Sequence, residues 1–123
     1  MSHLSPRRRL IVLSLFLTML APLPAAAHAV VIASSPDINA TVAGANLPIV
    51  LHFNSRIDRN HSRLYLYRPD GSNLTLPLRA ESPPEELDST AGDLPPGAYR
   101  LRWQVLSVDG HITRGDIPFQ VGP

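Results

Sequence analysis

His28 directly follows Ala25-Ala26-Ala27, and Asp109-Gly110-His111 lies near the other end of the chain. If the chain is cut after Ala27, His28 becomes the first residue and offers two donors, its free α-amine and its own Nδ1. Together they close a six-membered ring on one metal ion. An α-amine titrates at about 8 and an imidazole at about 6.5, so a metal can displace a proton from either at neutral pH. Two nitrogens in one plane suit the tetragonal preference of Cu(II). Residues i and i+2 of an extended segment project to the same side, so the Asp109 carboxylate and the His111 imidazole can converge on a point. Gly110 leaves room for a sharp bend. One carboxylate oxygen and one imidazole would complete a square of donors with His28. Two plainer readings stand beside this one. Cleavage leaves whichever residue comes next at the N-terminus, and Asp-Gly is also a common hairpin dipeptide that only turns the chain. His52, on the polar side of its strand, and His61, at the start of the next, read as solvated surface histidines.

Other chemistry has little to work with. The sequence contains no Cys, hence no thiolate metal site, no redox pair and no Cys nucleophile. It has no Gly-rich phosphate loop and no serine in a nucleophile elbow. Asp109 and His111 as part of a hydrolytic triad would need a substrate cleft that so small a fold does not evidently offer. The two methionines are Met1 and Met19, so residues 28–123 hold no sulfur ligand for a soft ion such as Cu(I).

The N-terminus supplies the cut. Arg7-Arg8-Arg9, an apolar run from Leu10 to Ala21, and a small-x-small site at Ala25 and Ala27 are the three parts of a secretory signal peptide, expected over residues 1–27. The apolar run is shorter than the roughly 20 residues of a spanning helix. Residues 28–123 then form one domain, large enough for a single core without disulfide staples. With the three signal arginines removed, eight arginines face ten acidic residues, a net charge of about −2 with histidine neutral. A weakly acidic domain with scattered arginines is a poor candidate for nucleic acid or an anionic membrane, and no membrane insertion of the mature chain is expected.

No segment after residue 28 sustains a 3.6-residue apolar period. Short alternating runs appear instead. Ile49, Leu51 and Phe53 point one way while Val50 and His52 point the other. His61–Arg68 and Asn73–Leu78 flank Pro69-Asp70-Gly71-Ser72, a hairpin turn. Leu94-Pro95-Pro96-Gly97 launches Tyr99, Leu101, Trp103 and Val105 on one face, with Arg100, Arg102 and Gln104 opposite. A last strand spans Ile117 to Val121, where Pro118 suggests an edge, and an opening strand spans Ala29 to Ala33. The polar, proline-bearing residues 80–93 read as a solvated connection. About seven short strands predict an all-β domain, a small immunoglobulin-like β-sandwich or Greek-key barrel.

These residues stand in a longer pattern that resembles the CopC family of periplasmic copper-binding proteins. The pattern starts at His28-Ala29 and passes through Ser34-Ser35-Pro36 and Leu51-His52-Phe53. It is densest from Leu94 to Gly115, where S-x-D-G-H (Ser107 to His111) follows the strand bearing Trp103. The resemblance implies a β-sandwich and one Cu(II) ion held by the amine and ring of His28, the carboxylate of Asp109 and the ring of His111. It implies a soluble periplasmic copper carrier or buffer in copper tolerance or supply, with an inner-membrane copper transporter of the CopD type as a partner. Two departures matter. Some relatives hold Cu(I) in a methionine-rich segment that residues 28–123 lack. Many place an acidic residue after the L-x-F pattern to support the site, where this chain has Asn54-Ser55-Arg56, so ligand orientation would rest on other hydrogen bonds. Two rivals remain. One is a histidine-brace copper oxidase acting on a polymer, whose open equatorial position Asp109 would fill. The other is a metal-free immunoglobulin-like interaction domain.

Overall fold

The computed structural model describes residues 28–123; the expected export segment, 1–27, lies outside the described residues. Among the described residues every regular element is a strand. They are β1 (Val31–Ser35), β2 (Thr41–Val42), β3 (Leu47–Phe53), β4 (Ile57–Tyr67), β5 (Asn73–Thr75), β6 (Glu86–Ala91), β7 (Gly97–Ser107) and β8 (Ile112–Val121). A three-stranded sheet, β1-β3-β6, packs on a five-stranded one, β2-β8-β7-β4-β5. The result is the expected β-sandwich, with eight strands where about seven are predicted.

Alternation drives both sheets inward. On β3, Ile49, Leu51 and Phe53 are buried while Val50 and His52 are only partly covered. On β7, Tyr99, Leu101, Trp103 and Val105 are buried in the same manner, and Leu64, Leu66, Ile117 and Phe119 meet them from β4 and β8. Full burial of each such side chain stabilises by about 1.5–3 kcal/mol before entropy is counted. Phe53 and Trp103 join the two sheets edge to face, ring centroids 5.3 Å apart. Trp103 also lies over Gly115, its register partner on β8. A Cβ added at Gly115 would fall 2.6 Å from Trp103 Cε2, so only glycine fits beneath the ring. Tyr99 Oη donates to the Pro95 carbonyl at 2.6 Å, tying the start of β7 to the turn before it.

Three expectations shift. The segment 80–93 is not all solvated connection: it contains β6, which pairs antiparallel with β3 and buries Leu87 and Ala91. The opening strand begins at Val31, not Ala29. The last strand runs ten residues from Ile112, and its outer side is covered by just the two residues of β2, so Pro118 sits close to an edge. The Pro69–Ser72 turn stands as read: Arg68 N–H donates to Ser72 O at 2.8 Å, and Gly71 has φ +84°.

Candidate metal centre

The β7–β8 hairpin carries Asp109 and His111 at its tip. The segment is a turn and not an extended strand. Ser107 N–H donates to the His111 carbonyl at 2.9 Å, Gly110 N–H donates to the Ser107 carbonyl at 3.0 Å, and Gly110 takes φ +87°. The hairpin reading of Asp-Gly is therefore correct, and it does not compete with the ligand reading. The turn itself swings Asp109 against His111, with Asp109 Oδ2 3.1 Å from His111 Nδ1. Asp109 Oδ1 accepts from the buried Ser107 hydroxyl and, at 3.2 Å, from His111 N–H. These donors, Ser107 first, hold the carboxyl down to about 2 from its ordinary 3.8. Asp109 is thus an anion at neutral pH, and it remains open to solvent.

His28 reaches this corner from the opposite end of the chain. Its ring centroid lies 5.0 Å from that of His111, the planes 70° apart. Two anchors bring it there. Ala29 is buried, and its carbonyl accepts from Thr113 Oγ1 on β8 at 2.9 Å. Val30 is held at both of its backbone polar groups by one residue. Its N–H donates to Asn54 Oδ1 at 2.9 Å, and its carbonyl accepts from Asn54 N–H at 3.0 Å. Asn54, which sequence reading marks only as a departure from an acidic pattern, thus positions the segment that carries His28. The one available signal was its place directly after Leu51-His52-Phe53.

The three predicted residues are brought together pairwise, His28 to His111 and His111 to Asp109. Among the described residues, no three His, Cys, Asp or Glu side chains close as a group around one point. The donor set nonetheless suits copper(II): two imidazoles, one ionised carboxylate and, once a peptide bond is cut, one amine. His52 and His61 lie apart from the corner. Neither is free, half-buried His52 having Nδ1 3.2 Å from Glu86 Oε1 and exposed His61 having Nδ1 2.8 Å from Asp58 Oδ2. A surface depression of about 390 Å³ lies elsewhere, lined in part by Pro48, Val50, Arg79 and Asp88. Among the described residues no helix is long and apolar enough to cross a membrane.

A family model described as CopC domain matches residues 31–122, a span that includes Asp109 and His111 and begins after His28. The YobA protein of Escherichia coli K12 is 34% identical over 98 residues, covering 77% of this chain and 79% of YobA. The copper transport protein CutJ of Bacillus subtilis is 29% identical over 115 residues, 91% of this chain but 21% of CutJ. The chain thus spans about a fifth of that relative's length. Among solved structures, CopC from Methylosinus trichosporium OB3b superposes with a TM-score of 0.70 at 28% identity, covering 78% of this chain and 95% of that one. PcoC, a methionine rich copper resistance protein from Escherichia coli, has a TM-score of 0.64 at 24% identity and shares the fold.

Proposed function

This chain belongs to the CopC domain family, and from that premise we propose that it is a periplasmic Cu(II) carrier or buffer, loaded with one ion at the His28–Asp109–His111 corner. Its function is copper-related. Binding and handover are its activity, and it catalyses no reaction. The observation that carries the reading is the meeting of His28 with His111 at 5.0 Å, with Asp109 already ionised beside it. The donors are nitrogen and oxygen throughout, and residues 28–123 contain neither Cys nor Met, a set that favours Cu(II) over Cu(I). Asp109 Oδ2 can serve the ion directly, or it can fix the His111 ring so that Nε2 faces outward. Signal cleavage after Ala27 would supply the remaining nitrogen, which confines loading to the exported chain. In CutJ, named a copper transport protein, sequence like this chain occupies about a fifth of the length. A domain of the same kind would hand its ion to a CopD-type inner-membrane transporter.

The test is one added residue. Gly placed before His28 keeps every side chain but turns the amine into an amide, which gives up its proton far less readily. Cu(II) affinity should fall at least tenfold, about 1.4 kcal/mol. Competition titration of the two forms, with matched circular dichroism and EPR spectra, reads the difference. Equal affinities would remove the amine from the site and with it the reason for calling the cut functional.

A further inference from the structure

The outer face of the five-stranded sheet carries a charge distribution that the net charge hides. Cross-strand partners share a face, and three successive rows can be read from the register. The first is Arg63, Gln104 and Arg114; the second is Tyr65, Arg102 and Asp116; the third is Tyr67, Arg100 and Pro118. Four of the domain's eight arginines therefore stand in three rows with a single carboxylate, while the other four share the rest of the domain with nine acids. That carboxylate, Asp116, is 3.5 Å from Arg100, whose guanidinium also lies 4.3 Å over the Tyr67 ring. Arg114 is bonded to the neutral Gln104 and Arg63 to the carbonyls of Asn60 and Ser62, so both keep their full charge. One row nearer the hairpin tip, Leu106 pairs with Ile112, and Asp58 beside them, a second anion, is hydrogen-bonded to His61. Ile112 is 53% exposed and Val108, at the tip itself, 70%.

We infer that this face is a docking surface for an anionic lipid bilayer, with the β7–β8 tip directed into the headgroup layer. The order of the residues argues for lipid over an acidic protein. Arginine and tyrosine are also common at protein interfaces, so the discriminating feature is the apolar tip at the end of the basic rows. Here the arginines and tyrosines occupy the middle of the face, and the exposed aliphatic side chains lie at one end, where a hairpin tip can enter the boundary between headgroups and acyl chains. A second copy of this face would repel the first. The mean charge of the domain argues against an anionic membrane, but the placement of that charge argues for one. The inference rests on the arginine rows and the aliphatic tip and not on the copper reading, and Asp109 is the one anion among the tip residues 107–111.

Sedimentation with vesicles tests it, using the chain from His28, which carries every strand described. Vesicles of phosphatidylglycerol and phosphatidylethanolamine should retain the protein, and phosphatidylcholine vesicles should not. Retention should fall at least tenfold on raising salt from 20 to 300 mM. The pair Arg102→Glu and Arg114→Glu, on half-exposed and exposed sites, should abolish it, and the pair Arg102→Gln and Arg114→Gln should weaken it to an intermediate level. Matched circular dichroism and melting confirm that the variants fold, and their Cu(II) EPR spectra should equal the parent's, which separates this surface from the copper reading. Absence of retention by anionic vesicles, or retention that the glutamates leave unchanged, overturns the inference. So does retention on neutral vesicles only when they contain a membrane protein, which would assign the face to an acidic protein partner.

Discussion

Replacing Asn54 by Ala should weaken Cu(II) binding while barely changing stability. The side chain accepts one hydrogen bond, from Val30 N–H at 2.9 Å, and an exposed neutral hydrogen bond contributes about 0.5–1.5 kcal/mol net. The Asn54 backbone bond to the Val30 carbonyl and the Thr113 bond to Ala29 survive the change, so the fold loses little. The N-terminus loses more. Ordering one residue's backbone costs about 1–2 kcal/mol, and in the parent chain folding meets that cost at Val30. In the variant, part of it shifts to the binding step. About 1 kcal/mol would appear as a roughly fivefold loss of affinity. Asn54→Asp keeps an acceptor at the same place and should bind at least as well as the parent. Competition titration with a calibrated Cu(II) chelator, on chains beginning at His28, reads both variants. Parental affinity in Asn54→Ala, or equal weakening in both, would show that Val30 needs no side-chain clamp and that Asn54 has no part in placing His28.

Two further outcomes follow from the same packing and hydrogen bonds. Trp103→Ala should cost about 3–5 kcal/mol, and Gly115→Ala, which drives a Cβ into the Trp103 ring, about 1–3 kcal/mol; unchanged melting in either would contradict the ring's placement over Gly115. Asp109, lowered to about 2, stabilises the fold above the ordinary 3.8 and loses that contribution as pH falls through about 2. Its carboxyl carbon shift should titrate near 2 in the parent and move up toward 3.8 in Ser107→Ala, since the Ser107 hydroxyl is the leading cause, and an unmoved midpoint would assign the effect elsewhere.

Local signals were the readable ones. Alternation along Ile49–Phe53 and Tyr99–Val105 marks the two inner faces, because each apolar residue there meets the opposing sheet. Pro69–Ser72 marks its turn because Gly71 needs a positive φ and Asp70 bonds Ser72. What escaped was set by partners far along the chain. β6 has just Leu87 and Ala91 to show for its inner face and is a strand because β3 pairs with it. β2 exists only beside the end of β8. The arginine face is invisible to a charge count, since its members sit at alternate positions of three separate strands. At the site, residue types and the Asp-Gly-His spacing mark Asp109 and His111 as candidates, and a turn, not an extended strand, brings them together. The Asn54 clamp on Val30 spans 24 positions, and no local pattern announces it.

The two halves of the corner differ in how they are assembled. Asp109 and His111 belong to one hairpin, whose strands are joined by four residues, and a contact that local forms early in folding, on the scale of microseconds. His28 is placed through the contact of Ala29 with Thr113, which spans 84 positions and, being non-local, belongs to the slower part of folding. The corner is therefore a checkpoint on the whole fold. The meeting of the two imidazoles marks the moment at which the two ends of the described chain belong to one body.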